Sequence, residues 1–549
     1  MNRIILYIGS VLLLLSGGLL HAQDKLPTGE VDVINSFNAR LLDSEPFSLK
    51  PVLPALDTST RRQTYSILTK AMEVAYSPPK IRPLRLGTTE KDPVYNGHFM
   101  LGGGIPNSAY MEGSYFLDKV ENFDFRIHAF HHSANNTKKV ENQRFGWNNY
   151  GMEGTYYLNE EGVAINGKLN YSHNSSFFYG YNDLNKEFPD KNFSFESSEV
   201  RQRVAIFDIG ANLFNGARTI LDFNYKAGFD AFILQDAYAT RERGFKLELE
   251  GTKWFNESHP LKIKLITDFS TFKNEENQNL NNFFLQPSYT YHADIFKVKI
   301  GANIASHEDE FTFFPDIEAT ANIAQDLFGV YVGAEGSLEK NTFRALNDYN
   351  PFIESRIEVR NTTYYNFYGG IKGNIQGIDY DGQIGYKTAE NLALYQLSDP
   401  LDSIARFDVL YDTATIFTIK GSMSAPLFPG FALTGTVSQN IYSLDNQEKA
   451  WHLPAFSLNV GASYLTMENK LRLTGDFFLE NGVPYRDTDG SAKNLNALFD
   501  ISVGAELFFT ENIGAFMRLN NLASNNRQRW HRYPLMGLNA LFGITARFK

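Results

Sequence analysis

Charged and amide side chains recur at every second position along much of this chain, set between apolar ones. Asp124, Arg126 and His128 alternate with Phe123, Phe125 and Ile127, and Asn166, Lys168 and Asn170 oppose Val163, Ile165 and Leu169. Lys246, Glu248 and Glu250 alternate with Phe245, Leu247 and Leu249, and Lys262, Lys264 and Asp268 oppose Leu261, Ile263 and Leu265. Lys297 and Lys299, then Arg472 and Asp476, and finally Arg547 continue the series. Both signs alternate and no ring of one charge stands out, so these residues suit a hydrated, charge-balanced wall rather than an ion filter.

Other chemistry finds less support. His128, His131 and His132 share one stretch, but neighbouring strand residues face opposite sides, so only His128 and His132 share a face and a third ligand is missing. Gly102, Gly103 and Gly104 precede no helix and so lack the basis for a phosphate cradle; they suit strand curvature or the close approach of another segment. No local signature singles out a nucleophile, and the expectation is a non-enzyme without cofactor or metal.

The elements that must hold these residues are strands, because the period is two. The last stretch shows this best: Leu538, Ala540, Phe542, Ile544, Ala546 and Phe548 form an apolar row, while Asn539, Gly543, Thr545 and Arg547 share the other face with Leu541. In a bilayer the apolar row meets lipid and a partner strand closes the edge. From Tyr95 onward such runs are separated by short polar breaks alternating with long ones. The short breaks fall at 118–121, 160–162, 215–217, 256–260, 293–295, 324–326, 376–377, 425–430, 467–470 and 510–512. The long ones fall at 133–144, 183–200, 274–282, 339–355, 397–404, 444–450, 486–492 and 521–533, and the first hairpin, with a short break at 105–108, is an exception. This predicts an all-β fold, a transmembrane antiparallel barrel of about 22 strands over residues 95–549, with tight turns in the periplasm and long loops outside. Aromatic pairs at Tyr156-Tyr157, Phe177 to Tyr179, Tyr364-Tyr365 and Phe477-Phe478 suit interfacial girdles. A soluble sandwich would bury the apolar rows sheet on sheet, but rarely needs so many strands.

Residues 1–22, with Arg3 before an apolar run and a break at Ala22, read as a secretory signal peptide. Residues 23–94 carry Pro27, Pro46, Pro51, Pro54, Pro78, Pro79, Pro83 and Pro93, a density that excludes a continuous sheet, and read as an extended periplasmic or lumenal arm with a short amphipathic helix at 60–76. With 45 Phe, 29 Tyr and a mean hydropathy of -0.31, the chain is too polar for a helical membrane protein and unusually aromatic for a soluble one. Zero Cys removes disulfides and thiol metal sites, and a net charge of -11 without a basic run argues against a nucleic-acid partner.

The tail Leu519-Asn520-Asn521-Leu522, Tyr533-Pro534, Gly537 and a final strand ending Arg547-Phe548 is similar to the closing hairpin of TonB-dependent receptors. Pro79-Lys80-Ile81-Arg82-Pro83 leading into the first strand, with Phe178-Tyr179-Gly180-Tyr181 later, resembles barrels of Bacteroidetes-type bacteria given the same label. The resemblance implies a multi-pass barrel in the outer membrane, inserted by the barrel-assembly machinery through its C-terminal strand. It also implies TonB as a partner, and Glu30, Val31, Asp32, Val33 and Ile34 are the candidate strand for it to pair with. Those receptors carry a plug domain that residues 23–94 are too short and Pro-rich to supply. The function expected is a channel or uptake component for an unidentified solute. The alternative is a scaffold or accessory subunit of an envelope or surface-protein complex that holds a periplasmic or surface lipoprotein.

Overall fold

The computed structural model describes residues 95–549 except 159–161, 191, 308–309, 325–326, 399–403 and 526, and omits the side chains of 118–120. The expected signal peptide, Pro-rich arm, helix at 60–76 and Glu30 to Ile34 strand lie outside the described residues. The described residues are built on one antiparallel sheet of 22 strands in which each strand pairs with its neighbours in the wall, with two small two-stranded hairpins in the loops. The sheet closes on itself, since the first strand, Gly97–Ile105, pairs with the last, Asn539–Phe548, from Gly97 opposite Phe548 to Ile105 opposite Ala540. Closure leaves no edge strand to template aggregation.

Glycine makes that seam possible. A Cβ at Gly104 would lie 1.7 Å from the Ala540 carbonyl oxygen, and one at Gly102 would lie 2.5 Å from that of Phe542. Gly102 and Gly104 therefore serve the close approach of the last strand.

The apolar rows face outward. Phe542, Ile544 and Phe548 of the last strand are exposed, as are Ile127, Ile165, Leu249, Ile263 and Ile300 around the wall. Such a continuous apolar belt belongs against hydrocarbon. Leu541, on the opposite face, is buried inside the barrel against Met100, Tyr110 and Phe516.

The turns predicted at 293–295, 376–377 and 467–470 fall where expected, as does the tight first hairpin at 106–107. The outer connections correct the reading of uniformly long loops. Those at 236–240 and 274–276 are also short, and strands from Arg241–Phe255 to Glu310–Asn322 continue their pairing almost to their outer ends, His307 standing opposite Glu310. Among the described residues, the longer connections lie within 136–143, 178–200, 342–359, 398–406, 445–455, 481–497 and 521–538. Two strands, Ile378–Leu397 with 20 residues and Phe407–Phe428 with 22, far exceed the ~9–11 residues that a tilted strand needs to span. Their ends rise past the membrane and support the loops.

Candidate lumen and its loop closure

Residues opposite each other in register share a face, and following the ladders around the barrel places all the predicted wall residues on the inner one. Arg126 stands opposite Glu153, Glu153 opposite Lys168, Lys246 opposite Asp230 and Asp268, and Lys264 opposite Glu250. Most are ion-paired. Lys168 lies 2.5 Å from Asp230, Lys264 lies 3.1 Å and Lys246 3.7 Å from Glu248, Lys262 lies 2.9 Å from Glu250, Lys299 lies 2.6 Å from Asp316, and Lys340 lies 2.8 Å from Asp268. Asp124 accepts from the Tyr157 hydroxyl at 3.0 Å, Asn170 faces Asp208, Asp476 faces Ser502, and Lys297 sits at the turn end opposite His292 and Thr320. Asp124, Arg126, Arg472 and Arg547 line a cavity of about 950 Å³ with Glu153 and Glu506. Glu250, Lys262, Lys264 and Lys299 line another of about 1100 Å³. The more exposed of these pairs, such as Lys168 with Asp230, contribute little stability, and the physical effect of the set is to cancel the field of a water-facing wall.

Nearer the loops the same inner face changes character. Ascending one strand, Lys262 and Lys264 are followed by Ile266, Asp268, Ser270 and Phe272; on the next, Ser288 and Gln286 give way to Phe284, Asn282 and Leu280. Ile266, Phe272, Leu280 and Phe284 are buried. What buries Phe272 and Leu280 is a core made by the loops, joined by Phe177, Phe178, Tyr181, Phe343, Ile353, Phe407, Trp530 and Tyr533.

Local sequence builds this core. In loop 178–200, Gly180 precedes the short helix α1 (Tyr181–Glu187), and a Cβ there would meet Ala405 and Tyr533 at 2.9 and 3.0 Å. In loop 342–359, the Thr342 hydroxyl caps the short helix α2 (Phe343–Tyr349) by accepting from the Ala345 N–H at 3.1 Å. Loop 521–538 folds into a small hairpin, Gln528–Trp530 against Tyr533–Pro534. Its Tyr533 ring stacks on Phe352 at 3.8 Å and meets Tyr179 edge-on at 5.0 Å, while its hydroxyl donates to the Ala405 carbonyl at 2.9 Å. Trp530 packs against Tyr349, Tyr395, Phe407 and His452. The Ser176 hydroxyl donates to the Pro351 carbonyl at 3.2 Å, and Arg344 pairs with Asp208 at 2.5 Å. These partners leave the wall at widely separated strands of a closed ring, so their contacts cross the mouth.

Charge inside the closure is paired or suppressed. Arg529 reaches Glu480 at 3.0 Å and donates to the His452 carbonyl at 3.1 Å and to the Tyr349 hydroxyl at 2.9 Å. His452 Nδ1 donates to the Tyr395 carbonyl at 2.7 Å, and its Nε2 accepts from the His531 N–H at 3.3 Å, which fixes the neutral tautomer. Burial pushes His452 down to about 3 and, with Arg532 adding to the effect, His531 down to about 4. Burial likewise holds the Tyr179 phenol well above its ordinary range.

Two expectations change here. Phe177 and Tyr179 are not interfacial girdle residues but part of the loop core, and Phe478 faces a luminal cavity, whereas Tyr156 is exposed on the outer wall as a girdle residue would be. His128 and His132 do share the inner face, where His128 bonds Asn149 and His132 packs between Tyr110, Phe145 and Trp147. Among the described residues no group of three or more His, Asp or Glu is placed to hold a metal. The loop core had no signature of its own in the chain. The one available hint was the apolar content of segments read as polar loops, such as Trp530 and Tyr533.

No protein-family model matches the chain, and no curated protein matches it. Solved structures do. The ferripyoverdine receptor of the outer membrane of Pseudomonas aeruginosa superposes with a TM-score of 0.59 at 14% identity, over 83% of this chain and 72% of that one. The ferric enterobactin receptor of the same organism gives 0.60 at 12%, over 83% and 81%. The FrpB iron transporter from Neisseria meningitidis gives 0.62 at 10%, over 83% and 82%. The shared fold is that of a multi-pass outer-membrane barrel, and the proteins that carry it here are transport receptors rather than enzymes.

Proposed function

We propose that this protein is a gated uptake component of the outer membrane for an unidentified solute. The observation that carries the reading is the contrast within one lumen: a wide, water-facing, charge-balanced wall, closed at its outer end by loops that meet across the mouth. A barrel that only anchored a partner would have no need of such a wall. The likeness to iron and siderophore receptors supports uptake, and the solute here need not be theirs. In this reading the wall residues from Asp124 to Arg547 form the path. TonB, pairing with Glu30 to Ile34, drives opening; the barrel-assembly machinery acts through the last strand; a surface or periplasmic lipoprotein is a further candidate partner.

Planar bilayers test this directly. The full chain is expected to be closed or nearly so, and Tyr533→Ala combined with Trp530→Ala is expected to give large, weakly ion-selective openings. If both proteins stay silent while correctly folded, uptake is wrong and the scaffold reading takes its place.

A further inference from the structure

Against the inner side of the loop core lies a second kind of cavity, about 540 Å³, well within the size range of small-molecule sites. Its wall differs from the charged cavities at the turn end. Rings dominate it, among them Phe145, Trp147, Tyr179, Phe352 and Phe478. Trp147 stacks on Phe145 at 4.4 Å yet keeps 45% of its surface free, an uncommon exposure for an indole on the inner face.

Little of its surface is polar, and three of its polar side chains keep an unpaired atom. Asp500 takes the Ser502 hydroxyl on Oδ2 at 2.8 Å, but its Oδ1 has no hydrogen-bond partner in the protein. Arg144 holds its guanidinium over the Phe177 ring at 4.3 Å with Nε unpaired, and Asn539 leaves Oδ1 unpaired. All three residues line this cavity. A carboxylate with one buried oxygen unpaired and a guanidinium with its buried Nε unpaired, set among rings, are complementary to a molecule that supplies both charges and a flat apolar body.

We propose that this cavity binds a small aromatic zwitterion, of the class of an aromatic amino acid or aromatic dipeptide. This deepens the uptake reading and rests on it for physiological meaning. Rings of the ligand stack on Trp147 and Phe478, its ammonium meets Asp500, and its carboxylate meets Arg144. An acyl chain would leave Asp500 and Arg144 uncompensated and suits flexible aliphatic walls better than rigid rings. A sugar would face too little polar surface to replace its water.

The test is calorimetric titration of the full-length protein in detergent with the dipeptide Phe-Phe, its N-acetyl form and Leu-Leu. Phe-Phe is expected to bind, with Leu-Leu about tenfold weaker or more and Trp147→Ala weakening Phe-Phe about tenfold. Asp500→Asn, which keeps the shape of the wall, is expected to weaken Phe-Phe while leaving the N-acetyl form unchanged. Heat-modifiable migration on gels confirms that each variant has folded. The inference is overturned by absence of binding at millimolar Phe-Phe, by equal binding of Leu-Leu, or by an Asp500→Asn protein that still prefers the free ammonium. Uptake is read separately in proteoliposomes: the expected binding pattern without passage of Phe-Phe sinks transport and keeps the site, whereas passage of other solutes without binding sinks the site and keeps transport.

Discussion

The two ends of the lumen use one face of one sheet for opposite purposes. At the turn end the inner residues are Lys226, Glu250, Lys262 and Lys299, paired with each other or with neighbours and open to water. At the loop end the same faces carry Leu234, Phe272 and Leu280, sealed by residues such as Tyr181, Phe343 and Tyr533. Strand geometry is constant along the wall, so the change of side chain follows from what stands opposite: solvent at one end, folded loops at the other. Hydrophobic burial is therefore concentrated at the loop end, the end that would have to open in the proposed uptake. The turn end is held instead by backbone ladders, to which half-exposed ion pairs add little.

The largest effect expected from breaking this comparison comes from Tyr533→Ala. The ring is almost fully buried, stacked on Phe352, and its hydroxyl is bonded to Ala405, so truncation should cost the closed arrangement about 3–5 kcal/mol. Trypsin cleavage near Arg529 in proteoliposomes should accelerate strongly while the barrel keeps its heat-modifiable migration. Equal loss of stability throughout the barrel would mean that the loops and wall are one cooperative unit and that the two ends do not differ as argued.

Acid should act on the same end. His452 and His531, held neutral at about 3 and about 4, return toward their ordinary 6.5 when the loops part, so the open form binds more protons between those values. Closure is thus at full strength above pH 6.5 and weakens as pH falls below it, by about 1.4 kcal/mol per pH unit for each histidine, levelling off near the folded values. Around His531, Arg532 favours the neutral form and Asp487 opposes it; around His452, Arg529 favours it. Hydrogen exchange in loops 445–455 and 521–538 should speed up between about pH 7 and pH 5, and a His452→Gln variant should lose part of that response. A pH-independent exchange rate, once corrected for intrinsic chemistry, would contradict it.

Which of these features could be read in advance follows the same division. The wall was legible because a strand between lipid and water writes its environment into every second residue, as in Lys262, Lys264 and their apolar neighbours. The closing strand was legible for that reason, and the Gly102 to Gly104 run for its missing side chains. The loop core was not, because its contacts join residues far apart in the chain: the Tyr533 hydroxyl and Ala405 are 128 positions apart, and no local period links them. The short connection at 236–240 was missed because its polar residues continue the alternation of the strands it joins. The cavity beside Trp147 was invisible for the reason the core was, since Phe145, Phe352 and Phe478 reach it from two strands and a loop far apart in the chain.

The smallest effect sharpens the comparison from the other side. Lys262 is half-exposed and bonds Glu250, itself largely covered, at 2.9 Å, so Lys262→Ala should cost no more than about 1 kcal/mol after solvent screening. The cost should shrink further at about 1 M salt, where the Debye length is about 3 Å. Loop cleavage should be unaffected, and the change is read in the open state of the Tyr533→Ala protein. The expectation is a modest gain in cation selectivity, because Glu250 then faces the lumen with one fewer lysine beside it. Reversal potentials under a salt gradient measure this, and an unchanged ratio would mean that the remaining lysines, Lys226 and Lys264 among them, already set the local field.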